Sequence, residues 1–537
     1  MCLISLGQNF YLKLTGTTEN ETKLIDSLGY VTKVSSTLKI GEEVTALTEK
    51  IQKLGFIENR VSEPIKTNDS TYNYTFTLGR KIKYTHIYIG TKNKSFFENE
   101  PDTLKMKFSK TEEFLNSTIK KIESKGYSIS KVRLKDVSIG IDILAANLDI
   151  ELDQKRMINE IVINGYDKFP AGYKKNINRK YAKKVFNQES LEKISTDFKS
   201  IRFIKQIKYP EILFSPDSTK IFVYVEKKKN NSFDGFLGFS NSEEKLILNG
   251  YVDLNLSNVL NSGDLFSLKW RSDGQDQTNF NLGVELPFLF KSPLGLKVQL
   301  NIFKQDSTFQ NSKTDLDLGY YLTNKSKLFV GYQSVESSDI QNSNTALLND
   351  FTNNFITTSF EHVNLTDDFL FPEKTFFFLK LGMGKRDSKF NSNSQFLAQL
   401  NVSHILEFNS KNSLFLSSQN YYLQSETYLT NELFRFGGIK SIRGFRENSL
   451  QGNQVSVFIS EYRYKFSPNL YAHSIVDYGY FKDNTTNLTN KPLGFGLGFG
   501  LLTNNGLLNF IYANGIDNKQ IVKLSNSIIH ISFKSFF

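Results

Sequence analysis

The chain has 537 residues, a net charge of +11, a mean hydropathy of −0.34, five His and a single Cys. One thiol excludes an intrachain disulfide, and no apolar run reaches the roughly 20 residues that a membrane-spanning helix requires. There is no Gly-x-Ser-x-Gly elbow and no phosphate-binding loop, which argues against an enzyme, and no metal or cofactor is implied.

The charge is uneven. Residues 1–231 hold 40 Lys and Arg against 28 Asp and Glu, whereas residues 232–537 hold 26 against 27. At the start, residues 1–8, Cys2 precedes Leu3-Ile4-Ser5-Leu6-Gly7-Gln8, which looks like the tail of a secretory signal whose beginning lies upstream.

Residues 9–79, 80–154 and 155–230 read as three tandem repeats, each opening with a strand, passing through helical periodicity and closing with a strand pair. Opening strands are predicted from Phe10, Tyr84 and Ile158, and closing strands from Tyr72, Ala146 and Lys220. In the first two repeats the second helix ends alike, at Lys53-Leu54-Gly55-Phe56 and Ser124-Lys125-Gly126-Tyr127. A glycine just past a helix takes the left-handed conformation cheaply, and the aromatic after it packs back onto the helix. The third repeat has Lys199-Ser200-Ile201-Arg202-Phe203 there, without the glycine. Tandem β-α-α-β-β modules of this size resemble POTRA domains. The resemblance implies client binding, because a short sheet with a free edge pairs with an extended chain through backbone hydrogen bonds. A spacer role in the periplasm competes with it. The densest basic stretch, Lys174, Lys175, Arg179, Lys180, Lys183 and Lys184, lies in the third module. A solvated helix face explains that stretch better than an acidic partner or lipid head groups.

From 231 to 537 the pattern becomes strict alternation. Phe280, Leu282, Val284, Leu286 and Phe288 interleave with Asn279, Asn281, Gly283 and Glu285, so one strand face suits lipid and the other water. About sixteen such segments are predicted, an even number within the range of outer-membrane barrels. A soluble all-β protein alternates as well. Against it stand the aromatic strands (Phe376, Phe377, Phe378; Tyr421, Tyr422; Tyr462, Tyr464), the length of the region, and a chain that ends within a strand at Phe537. The expected fold is therefore α+β modules followed by an antiparallel transmembrane β-barrel of about 16 strands.

Within the barrel lies Ile442-Arg443-Gly444-Phe445, preceded by Phe436-Gly437-Gly438 and followed by Leu450-Gln451-Gly452. Ser460-Glu461-Tyr462-Arg463-Tyr464 and Ile475-Val476-Asp477-Tyr478-Gly479 come next. Together these segments resemble the BamA/TamA superfamily of outer-membrane insertases and its relatives in two-partner secretion. The resemblance implies that the loop arginine turns back into the lumen and pairs with acidic residues matching Glu461 and Asp477. Alternation is compatible with this: if Phe458, Tyr462 and Tyr464 face lipid, then Glu461 and Arg463 face inward, as do Asp477 and Gly479. Glycines 494, 496, 498 and 500 would leave lumen space for the loop, or would serve strand curvature. His473 is read as a structural lumen residue.

The barrel must close where its first and last strands meet, so Phe233, Gly235 and Gly238 are set against Ile529, Ile531, Phe533 and Phe537 as a lateral seam. The family often has a glycine kink in the last strand, and none lies between Ser525 and Phe537. The leading expectation is a non-enzymatic insertase or translocase, nearer TamA than BamA in architecture, in the outer membrane of a Gram-negative bacterium with its modules in the periplasm. Its partners would be the lipid bilayer, unfolded outer-membrane protein clients and accessory periplasmic or lipoprotein subunits, with no nucleic acid. A two-partner secretion exporter and a passive channel are the alternatives.

Overall fold

The computed structural model describes residues 9–242, 245–272, 277–517 and 527–537; the signal-like segment 1–8 lies outside them. The chain forms two compact units, Met1–Ile158 with Lys183–Leu191, and Asn159–Ala182 with Glu192–Phe537.

In the first unit, Phe10–Gly16 runs parallel to Thr71–Thr77. Helices α1 (Glu19–Leu28) and α2 (Thr37–Lys53) bury Ile25, Ile40, Leu47 and Ile51 against Leu12, Leu14 and Phe76. A capping box starts α1, with Glu21 N donating to Thr18 Oγ1 and Thr18 N donating to Glu21 Oε2 at 2.9 Å. The second α/β segment orders its strands Thr103–Lys107, Tyr84–Tyr88, Ile143–Glu151 and Lys131–Ile139. It departs from the expected two-helix plan. Only α3 (Thr111–Ser124) is an α-helix, and the first helix is replaced by a 3-10 turn at Thr91–Phe96. The reason is local: Asn93 is buried and gives its amide to the carbonyls of Ile89 and Leu148, both at 2.8 Å, and Pro101 soon follows. Gly55 and Gly126 sit at φ +102° and +101° past α2 and α3. Phe56 N then donates to Ile51 O and Tyr127 N to Ile122 O, closing both helix ends.

The second unit begins with Glu160–Asn164, which runs parallel to Thr219–Lys227 and, among the described residues, pairs on that side alone. Helices α4 (Ala171–Tyr181) and α5 (Gln188–Lys199) follow. The barrel strands are β1 (Ser232–Ser242), β2 (Lys245–Ser257), β3 (Leu265–Ser272), β4 (Gln277–Leu286), β5 (Leu294–Gln305), β6 (Phe309–Tyr321), β7 (Ser326–Asp339) and β8 (Phe351–Leu365). They continue as β9 (Glu373–Ser388), β10 (Ser392–Glu407), β11 (Asn412–Gln424), β12 (Gln454–Ser467), β13 (Leu470–Asp483), β14 (Leu493–Thr503), β15 (Gly506–Ile516) and β16 (Ile528–Phe536). Neighbours in sequence are antiparallel neighbours in space, and the sheet closes on itself.

Alternation sorts the faces as expected. On β6, Leu316, Leu318 and Tyr320 are exposed outward, while Asp315 and Asp317 are buried inside. Inward charges pair along one arc of the lumen wall, between strands three apart: Lys380 with Asp315 at 2.5 Å, Lys327 with Glu285 at 2.7 Å, and Lys297 with Glu361 at 3.2 Å. Helix α4 rests on the turns at one end of this barrel. Tyr173 meets Phe288 edge-on at 4.6 Å, and the Asn176 amide donates to Ser292 O at 3.2 Å. Phe288, Phe290 and Lys291 all take left-handed φ values in that turn, a strain held in place by these contacts.

Closure is uneven. β1 pairs with β2 along its whole length, from Ser232–Asn255 to Ser242–Lys245, and β16 pairs with β15 from Gly506–Ser535 to Ala513–Ile528. Between β1 and β16, among the described residues, the ladder holds only Ser232–Phe536 and Phe233–Ser535, with Phe537 N donating to Asn231 O at 3.0 Å. Amides of β1 and β16 that point across the seam are therefore expected to exchange with solvent deuterium faster than the doubly paired amides of β8 and β9, read by hydrogen-exchange mass spectrometry in bilayer discs.

Candidate functional site

The segment 425–453, between β11 and β12, does not extend away from the barrel but folds into the lumen. A short hairpin, Phe434–Phe436 with Leu450–Gly452, forms its neck. Ile442 and Phe445 are buried in an apolar cluster with Phe436, Val455, Val457, Ile459 and Phe481, which supplies the burial that holds the tip inside.

Between those two apolar side chains Arg443 is 2 % exposed, and its main partner Asp477 is 0 % exposed. Nε and Nη2 of Arg443 donate to the two oxygens of Asp477 at 2.7 and 2.6 Å, a bidentate fork. The backbone N of Arg443 adds a third bond to Asp477 Oδ2 at 2.9 Å. Nη1 donates to Glu461 Oε1. Glu461 is shared, because its Oε2 accepts from Arg463 Nε at 2.8 Å. Arg463 itself lies between the rings of Phe371 and Phe415, at 4.2 and 4.3 Å, so two arginines and two carboxylates balance in one buried network.

Glycines allow the tip to lie against the wall. Gly444 has φ +87°, and a Cβ there would fall on the backbone of Asn514 and Gly515. On the wall, a Cβ at Gly494 would fall on Arg443 O, and one at Gly515 would lie 2.5 Å from Gly444 O. Gly479 packs beside Pro492 and the Ile442 side chain. The alternating glycines of β14 thus divide their work. Gly494 makes room for the loop, but Gly498 and Gly500 face His473 and Tyr471, and Gly496 faces the Tyr512 carbonyl.

The structure therefore brings Ile442, Arg443, Gly444, Phe445, Glu461, Asp477 and Gly479 together. The seam residues lie apart from them. Phe233, Ile529, Ile531, Phe533 and Phe537 are exposed, and Gly235 and Gly238 pair with Val252 and Asn249 of β2. Continuing the register of the two seam pairs sets Gly235 opposite Phe533 rather than Ile531.

A second anchor was not singled out from the sequence. Arg386 of β9, fully buried, donates to Glu432 Oε1 at 2.5 Å and to Thr427 Oγ1 at 2.7 Å, pinning the descending limb of the loop. The inward parity of Arg386 on a predicted strand was the available signal; nothing in the chain order marks Glu432 as its partner.

Residues 379–501 match the family model for haemolysin secretion/activation protein ShlB/FhaC/HecB. Among solved structures, CdiB from Escherichia coli is similar with a TM-score of 0.53 at 14% identity, covering 92% of this chain and 98% of that one. CdiB from Acinetobacter baumannii gives 0.52 at 13% identity, covering 92% and 97%. BamA from Haemophilus ducreyi lacking POTRA domains 1-3 gives 0.47 at 14%, covering 84% and 98%. Among curated proteins none matches. The fold is that of a closed 16-strand outer-membrane β-barrel.

Arg443→Ala should leave a folded barrel whose tip is released, because Asp477 loses its counter-charge while Glu461 keeps only Arg463; complete burial would make this loss about 3–5 kcal/mol, and a wet lumen reduces it. The measurement is trypsin cleavage after Lys440 and Arg446 in folded, heat-modifiable protein, rising strongly over wild type. Arg443→Lys should restore protection only in part, since an ammonium cannot reproduce the fork.

Proposed function

We propose that this chain is a non-enzymatic outer-membrane protein assembly and translocation factor that captures client strands on POTRA-like periplasmic modules and inserts them through the seam between β1 and β16. One observation carries the reading: the two-pair ladder at that seam. In hydrocarbon every unpaired backbone N–H or C=O costs several kcal/mol, and among the described residues β1 and β16 run on past Phe233 and Ser535 without ladder partners across the seam. An extended client strand supplies the missing partners without regard to its sequence.

Export of a secreted partner through the lumen is the second reading. The match of residues 379–501 to a secretion family supports it, as does a cavity of about 650 Å³ lined by Asn279, Asn281, Asn301, Lys313 and Arg435.

A disulfide across the seam separates the two. Cysteines replacing Phe233 and Ser535, in a Cys2→Ser background, should abolish client insertion in a depleted strain, with recovery on reduction. Insertion undiminished by the lock refutes the seam route. Export that continues through the locked barrel assigns the second reading.

A further inference from the structure

Loop 425–453 is held on both sides of the seam. Its Arg443 binds β12 and β13, and its Gly444 lies against β15. Its Lys440 and Glu447 reach the other way. Lys440 Nζ lies 3.1 Å from Asp253 Oδ2 on β2, while the Lys440 carbonyl accepts from Gln419 Nε2 of β11 at 2.8 Å. Glu447 Oε2 lies 2.7 Å from Arg271 Nη1 on β3. Glu447 is seated by Gly438, whose φ of +98° and missing Cβ leave room for the carboxylate.

The chain of contacts continues to the edge strand. The Arg271 guanidinium lies over the Tyr251 ring at 5.5 Å, and the Tyr251 hydroxyl donates to Asp234 Oδ1 of β1 at 2.7 Å. In barrel order β15 and β2 flank the weak pair β16 and β1. The loop therefore passes behind the seam, with charge contacts on each wall.

We propose that Lys440 and Glu447, with Asp253 and Arg271, form a crossbar that holds the first-strand wall to the last-strand wall from inside the lumen. They are positioning residues: they set how often β1 and β16 separate, and they touch no client. Arg443 then fixes the crossbar to one wall, and release of the other wall accompanies opening. The crossbar rests on the reading that the seam opens.

Its test needs no client. Nitroxide labels on cysteines replacing the outward-facing Phe233 and Ser535, in Cys2→Ser protein reconstituted in phospholipid bilayers, report seam separation by pulsed electron resonance. Asp253→Lys, which would face Lys440, Lys269 and Lys534, and Glu447→Arg should each raise the ratio of separated to closed seam about five-fold, the size of effect expected when a half-exposed ion pair is turned to repulsion. The paired exchanges Lys440→Glu with Asp253→Lys, and Glu447→Arg with Arg271→Glu, should return the ratio to that of wild type. A reversal that fails to fold is replaced by Asp253→Asn or Glu447→Gln, with a smaller rise expected. If wild type shows a separated fraction that the single changes leave unaltered, or if the exchanges do not restore it, the crossbar is wrong and the seam reading stands. If no variant shows any separated fraction, both fall.

Discussion

A bilayer offers no hydrogen-bond partner to a peptide group, and the architecture of this protein follows from that constraint. Fifteen of the sixteen barrel seams meet it by long ladders, and the strand faces sort themselves around those ladders, apolar outward and charged inward. Among the described residues the remaining seam meets it only at Ser232–Phe536 and Phe233–Ser535. There the requirement is least satisfied, and there an added strand would gain the most hydrogen bonds.

The lumen poses the opposite problem, an excess of buried charge that must be neutralised. Arg443, Glu461, Arg463 and Asp477 solve it on one wall, and Arg386 with Glu432 on another. Removing Arg443 leaves Asp477 without a counter-charge, and removing Arg386 does the same to Glu432, so these two arginines act as pins for the loop. Apolar burial of Ile442 and Phe445 supplies attraction without direction; the arginine fork supplies direction. The carbonyl of Arg443 lying against Gly494, and Gly444 against Gly515, show how closely the two surfaces approach.

Much of this was legible in the chain. Period-two alternation identified the barrel because lipid and water impose opposite requirements on successive residues. The resemblance carried by Ile442 to Phe445 implied a loop turned into the lumen, and the inward parity of Glu461 and Asp477 was compatible with it. The helix ends at Gly55 and Gly126 were equally plain, since a left-handed residue there has few alternatives to glycine. The 3-10 turn at Thr91–Phe96 was not, because it depends on Asn93 reaching the carbonyl of Leu148, 55 residues away.

What the sequence by itself determined was the fold class and the parity of each strand, since both are written in neighbouring residues; the loop arginine was marked by a family resemblance. The tertiary structure alone decided that the seam holds two pairs, that Arg386 meets Glu432, and that Lys440 and Glu447 meet Asp253 and Arg271. Those pairings join residues from 46 to 304 positions apart. They exist only once the sheet has curled round to bring its ends together, and the register of closure that sets them is a property of the whole cylinder rather than of any one strand.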